Sequence, residues 1–150
     1  MKDIFNQDTI EAFKARISQL SEDSTAQWGE MNVYQMLKHC TENDKMMTGE
    51  RQFKRLFIGR IFGKMSLRSS TKDDKPLDQN SPTHPDLIIK DDGEVAAQKQ
   101  EWIKVVEGYY TKPAATFEGF THPFFGKMTP EQMSIWAYKH IDHHLRQFGV

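Results

Sequence analysis

The sequence predicts an all-α fold, a four-helix bundle with one long crossover. Four segments repeat apolar residues at helical spacing, no segment alternates as a strand does, and residues 48–93 separate the second helix from the third. So long a connection lets the helices it joins run parallel, and bundles with one crossover solve that topology. At 150 residues the chain suits one domain, residues 1–150.

The first helix is expected from about Thr9 to Leu20, capped by Asp8, with Ile10, Phe13, Ile17 and Leu20 on one face. The second is expected from Met31 to Met47, where Val33, Met36, Leu37, Cys40 and Met47 share a face and Gly49 supplies the stop. The third fits Glu94 to Tyr110 and carries Val95, Trp102, Val105, Val106 and Tyr109, with Pro113 just past its end. The fourth has the clearest start. Thr129-Pro130-Glu131-Gln132 combines a capping hydroxyl, a proline at the first helical position and a glutamine that closes a capping box, and the helix should reach Gln147.

The crossover has two parts. Arg51 to Lys72 holds seven basic residues and no acidic one, interleaved with Phe53, Leu56, Phe57, Ile61 and Phe62; helix is an option there that Gly59 and Gly63 weaken. Interleaved basic and aromatic residues suit an anionic membrane or a nucleic acid, but with the whole-chain charge balanced and two glycines weakening the helix, the apolar residues are expected to cover the bundle. Residues 73–92 read as loop, interrupted by Pro76, Pro82 and Pro85.

Composition narrows the function. Twenty basic against 21 acidic residues give a net charge of −1, which argues against a wholly basic nucleic-acid binder. A single cysteine excludes an intramolecular disulfide framework and a Cys-rich zinc site. No apolar run approaches the roughly 18 residues of a membrane span, and the polar start Met1-Lys2-Asp3-Ile4-Phe5 lacks a signal-peptide core. The expected address is the cytoplasm, with neither membrane nor nucleic acid as partner.

The histidines carry the chemistry. On the last helix, Trp136, Ala137, Ile141, Leu145 and Phe148 form one arc at about 100° per residue, and His140 and His144 fall inside it. Asp142, Lys139 and Arg146 fall opposite, and His143 lies at the boundary. Residues four apart on a helix are neighbours, so two inward imidazoles can bind one ion. Neutral imidazole suits zinc, nickel, copper or iron. The plainer alternative is a pair of core histidines satisfied by backbone carbonyls or tyrosines; two such rings without partners would cost about 1–3 kcal/mol each. A third ligand is available in His39, on the flank of the second helix, which alone would read as a boundary histidine. His122 lies in a loop long enough to fold back to the site, and is a candidate fourth ligand or pocket residue with His143. His84 reads as a loop residue. Cys40 reads as packing rather than nucleophile.

The pattern resembles the DinB-like (YfiT/DinB) superfamily of four-helix-bundle metalloenzymes. That superfamily takes one histidine from its second helix and two, four apart, from its last, which match His39, His140 and His144. More narrowly, Trp28-Gly29-Glu30-Met31, Gln35-Met36-Leu37-Lys38-His39, His122-Pro123-Phe124-Phe125-Gly126 and the ending His140-Ile141-Asp142-His143-His144-Leu145-Arg146-Gln147-Phe148-Gly149 look like a branch of unknown function. The resemblance implies the bundle, the three-histidine site and often a homodimer. Relatives include thiol-dependent transferases and isomerases, but no motif here fixes a thiol cofactor. The leading expectation is a thiol S-transferase or hydrolase that uses a divalent metal, zinc or nickel first, on a small-molecule substrate such as a low-molecular-weight thiol. The alternative is a bundle that binds a metal or small ligand without catalysis, or keeps a vestigial site.

Overall fold

The structure, a computed structural model, describes residues 3–150; Met1 and Lys2 of the polar start lie outside the described residues. Among these the chain is mostly helical, with five α-helices: α1 (Gln7–Ser18), α2 (Val33–Met47), α3 (Phe57–Thr71), α4 (Val95–Thr111) and α5 (Pro130–Gln147). Short 3-10 turns occupy Pro85–Leu87 and Ala114–Phe117.

Capping explains where the helices begin. Asn6, not Asp8, caps α1: its side chain accepts from the Asp8 backbone N–H, and Asp8 falls in the first turn, where the helix dipole favours a carboxylate. A capping box starts α2 two residues later than expected, with Asn32 and Gln35 each accepting from the other's backbone N–H. Gly49, at φ 81°, ends that helix as expected. The Thr129–Gln132 box and Pro130 open α5.

One pairing escapes a periodicity reading. Two strands, Thr121–His122 (β1) and Gly126–Lys127 (β2), pair antiparallel with His122 opposite Gly126. Two residues are too few to show a period of two. The ribbon closes because His122 Nδ1 accepts the backbone N–H groups of Phe124 and Phe125, while Gly126 takes φ 82°.

α1 packs on α4 and α5, and α2 packs on α4 and α5, around a core that includes Phe13, Met36, Leu37, Trp102, Val106, Met133 and Ile141. α3 packs on α5 and β2. Its orientation corrects the sequence reading. Phe57, Ile61 and Phe62 do not cover the bundle; they point away, 77%, 60% and 45% exposed. The buried face is Gly59, Gly63 and Leu67. Glycine there permits backbone-to-backbone approach, since a Cβ on Gly59 or Gly63 would sit 2.3 or 2.1 Å from the Phe124 carbonyl oxygen. Lys139 was expected on the polar side of the last helix. It is instead buried beneath the end of α3, donating to the Ser70 carbonyl at 2.8 Å.

Gly63→Ala therefore has an expected sign opposite to helix propensity. In an open helix the change would add about 1 kcal/mol. Here it should lower unfolding stability in urea by about 1–3 kcal/mol, because the Phe124 backbone must shift. A stabilised variant would mean that α3 does not sit on this loop.

Candidate metal centre

α2 contributes His39, and α5 contributes His140 and His144; all three are buried, and one ring nitrogen from each lies within 4.8 Å of the others. His39 Nε2 and His140 Nε2 are 3.3 Å apart. Two imidazole nitrogens at about 2.0–2.1 Å from one tetrahedral zinc ion would be separated by about 3.4 Å, so this edge already fits.

The far nitrogens are held. His39 Nδ1 lies 2.9 Å from the Leu87 carbonyl, which only accepts, so Nδ1 carries the proton and Nε2 presents a lone pair. His144 Nδ1 lies 2.8 Å from Gln147 Oε1. Gln147 Nε2 donates to the Trp28 carbonyl, which fixes the amide orientation and with it the His144 tautomer. His140 Nδ1 lies 3.3 Å from Asn43 Nδ2, which also donates to Asp44 Oδ1, so the amide presents its N–H to His140 and Nδ1 accepts. The His140 proton then sits on Nε2, facing the His39 Nε2 lone pair, and a cation bound there would replace that proton. Such outer partners orient metal-binding imidazoles generally.

Burial, more than any neighbour, pushes the affinity of all three rings for protons down. The other histidines of the cluster push His140 and His144 further in the same direction, while the Leu87 carbonyl partly opposes the shift at His39. The rings are neutral at neutral pH, the form that binds metal. Three buried histidines thus sit close enough to hold a metal ion, and the donor set fits one.

With the geometry in place, the family can be assigned. Residues 3–149 match the family described as a protein of unknown function, DUF1569. The chain belongs to the DUF1569 family. No curated protein and no solved structure is significantly similar to it.

The remaining histidines of this DUF1569 protein take other positions. His122 does not join the group of three. Its ring packs on Phe125 and Trp136, and burial, followed by Arg55 and His84, pushes its pKa down to about 3. Arg55 Nη1 clamps the same loop, donating at 2.9 Å to the carbonyls of His122, Pro123 and Phe124. Trp136 links the loop to the site, since it stacks on His140 at 4.8 Å. His143 meets His144 edge-on at 5.0 Å and lines a cavity of about 460 Å³ with Leu77, Ile135, Tyr138, Lys139 and Asp142. His84 caps the Pro85–Leu87 turn by accepting from the Asp86 N–H. Cys40 is fully buried beside Met36, and burial raises its thiol pKa, which keeps it unreactive.

Several positions of the DUF1569 chain escaped the sequence reading. Asn43 lies four residues after His39 and Gln147 three after His144, spacings that place both pairs on one helix face. That signal was present. The Leu87 carbonyl, brought to His39 from 48 residues away, left none.

Proposed function

We propose that this protein is a metal-dependent enzyme of the DinB-like superfamily, in which His39, His140 and His144 hold one divalent cation, zinc or nickel first. One observation carries the reading: the three rings converge on a common point while the far nitrogens of His39 and His144 are tied to Leu87 and Gln147. A core histidine that serves packing alone has no reason to offer its second nitrogen to two others. A cation held by three protein ligands supplies Lewis acidity and lowers the pKa of a water or thiol brought to it.

The chain's own residues do the rest. Leu87 and Gln147 fix the tautomers of His39 and His144, Asn43 positions the His140 ring through Nδ1, and the Trp136 ring shields His140 from water. The small-molecule substrate, a low-molecular-weight thiol or an electrophile, is assigned to the cavity that His143 lines, and the His143 ring contacts a ligand of the site, His144. The reaction is thiol S-transfer or hydrolysis. In this reading α1, α2, α4 and α5 form the four-helix bundle of DinB type as a single domain, α3 lies in the crossover, and the protein works in the cytoplasm as a homodimer.

The burial of the three rings favours a second reading, a closed site that binds metal without turnover. Elemental analysis of protein purified without a nickel column decides the first step. One equivalent of a divalent metal per chain is expected, and protein free of metal after supplementation would overturn both readings. Metal-dependent turnover in a screen of thiols with electrophiles and esters then separates enzyme from binder.

A further inference from the structure

We propose that the outward face of α3 is a docking surface for an anionic phospholipid bilayer. Phe57, Ile58, Ile61, Phe62 and Met65 are 77%, 55%, 60%, 45% and 66% exposed. At about 100° per residue they occupy an arc of about 140°, and its centre lies opposite the buried stripe of Gly59, Gly63 and Leu67. An apolar arc of this width on one helix is larger than scattered surface hydrophobics explain.

Charge identifies the occupant. Arg60, Lys64 and Arg68 follow one another down one flank of the apolar arc, all exposed, and no acidic residue occurs from 51 to 72. A second copy on the same face would set like charges against like, whereas anionic headgroups complement them. Branched and thioether side chains dominate the centre of the arc, which suits acyl chains better than stacked bases. A helix that lies in the interface needs no spanning length, and among the described residues no helix is long and apolar enough to cross a membrane.

The helix is also held rigidly to the body. Gly59 and Gly63 seat it on the Phe124 backbone, Lys64 Nζ donates to the Lys127 carbonyl at 2.7 Å, and Lys139 ties down its end through Ser70. The apolar face is therefore ordered before any contact is made, which lowers the entropic cost of docking. The proposal is independent of the metal centre.

Co-sedimentation with vesicles tests it, using phosphatidylcholine alone and an equimolar mixture with phosphatidylserine. The full chain should bind the anionic vesicles, release from them as salt rises, and bind neutral vesicles far more weakly. Ile61→Ser with Met65→Ser should weaken binding by about tenfold or more. Arg60→Glu with Arg68→Glu should weaken it by about fivefold or more for each charge. Both doubles alter exposed side chains, so helical content and thermal unfolding should match the parent. The proposal falls if anionic vesicles do not sediment the protein, or if neutral vesicles bind it equally. It also falls if sedimentation velocity shows a dimer that the apolar double dissolves, or if RNA competes with the vesicles for the wild-type face.

Discussion

Replacing His140 or His144 by alanine is expected to reduce bound divalent metal from one equivalent per chain to a small fraction, with the far-ultraviolet helical signal unchanged. Each substitution removes one of three lone pairs, and two buried imidazoles cannot complete the set. Neither should unfold the chain, because the lost ring is a costly polar group in the core and its burial contributed little by itself. Stability should diverge only when metal is supplied. The parent gains about 2.7 kcal/mol at a metal concentration of one hundred times Kd, and the variants gain almost nothing. Gln147→Ala provides the graded case: with all three ligands present but the His144 tautomer released, affinity should fall about 10–100-fold rather than vanish. Isothermal titration and elemental analysis measure both effects. One equivalent retained by both alanine variants would remove the site.

The readable part of this molecule was the part specified locally. The α5 start is written in four consecutive residues, and the inward direction of His140 and His144 follows from the arc they share with Ile141 and Leu145. The starts of α1 and α2 differ from the local pattern because the caps are Asn6 and Asn32, which place Asp8 inside the first turn and Met31 outside the helix. α3 was misread for a deeper reason. Apolar residues usually mark the inner face, but the rule concerns area removed from water, and a glycine stripe can win the inner face through closeness of approach. Nothing along the chain announces that Phe124, 65 residues beyond Gly59, presents a carbonyl to receive it. The Leu87 carbonyl at His39 is hidden for the same reason: it is a backbone atom in a loop, delivered by the fold alone.

A second large effect is expected away from the histidines, at Asp44. Its carboxylate is fully buried between α2 and α4, accepting from Trp102 Nε1 at 2.7 Å and from the Tyr109 hydroxyl at 2.9 Å. Burial raises its pKa from 3.8 to about 6, against the opposing hydrogen bonds of Trp102, Tyr109 and Asn43. The folded state therefore holds the Asp44 proton more tightly than the unfolded state, and stability from this group declines as pH rises from about 4 to about 6, then levels off. The decline amounts to about 3 kcal/mol. The buried histidines work in the opposite direction, because their lowered pKa values make the fold lose stability as pH falls below the ordinary histidine value. The wild-type profile alone thus mixes two slopes, and a variant must separate them. Asp44→Asn keeps shape and one acceptor oxygen but cannot ionise. Relative to wild type it should lose stability at pH 4, where at least one of the three donors Trp102, Tyr109 and Asn43 is left unpaired, by about 1–3 kcal/mol. At pH 7 the deficit should shrink or reverse, since the buried charge is gone. Asp44→Ala takes the acceptor from all three donors and opens a void, and should cost about 3 kcal/mol or more at either pH. Urea unfolding at the two pH values measures all three proteins. Parallel pH profiles for wild type and Asp44→Asn would show that Asp44 ionises equally in both states, and that the Trp102–Tyr109 cradle stabilises its charge as well as water does.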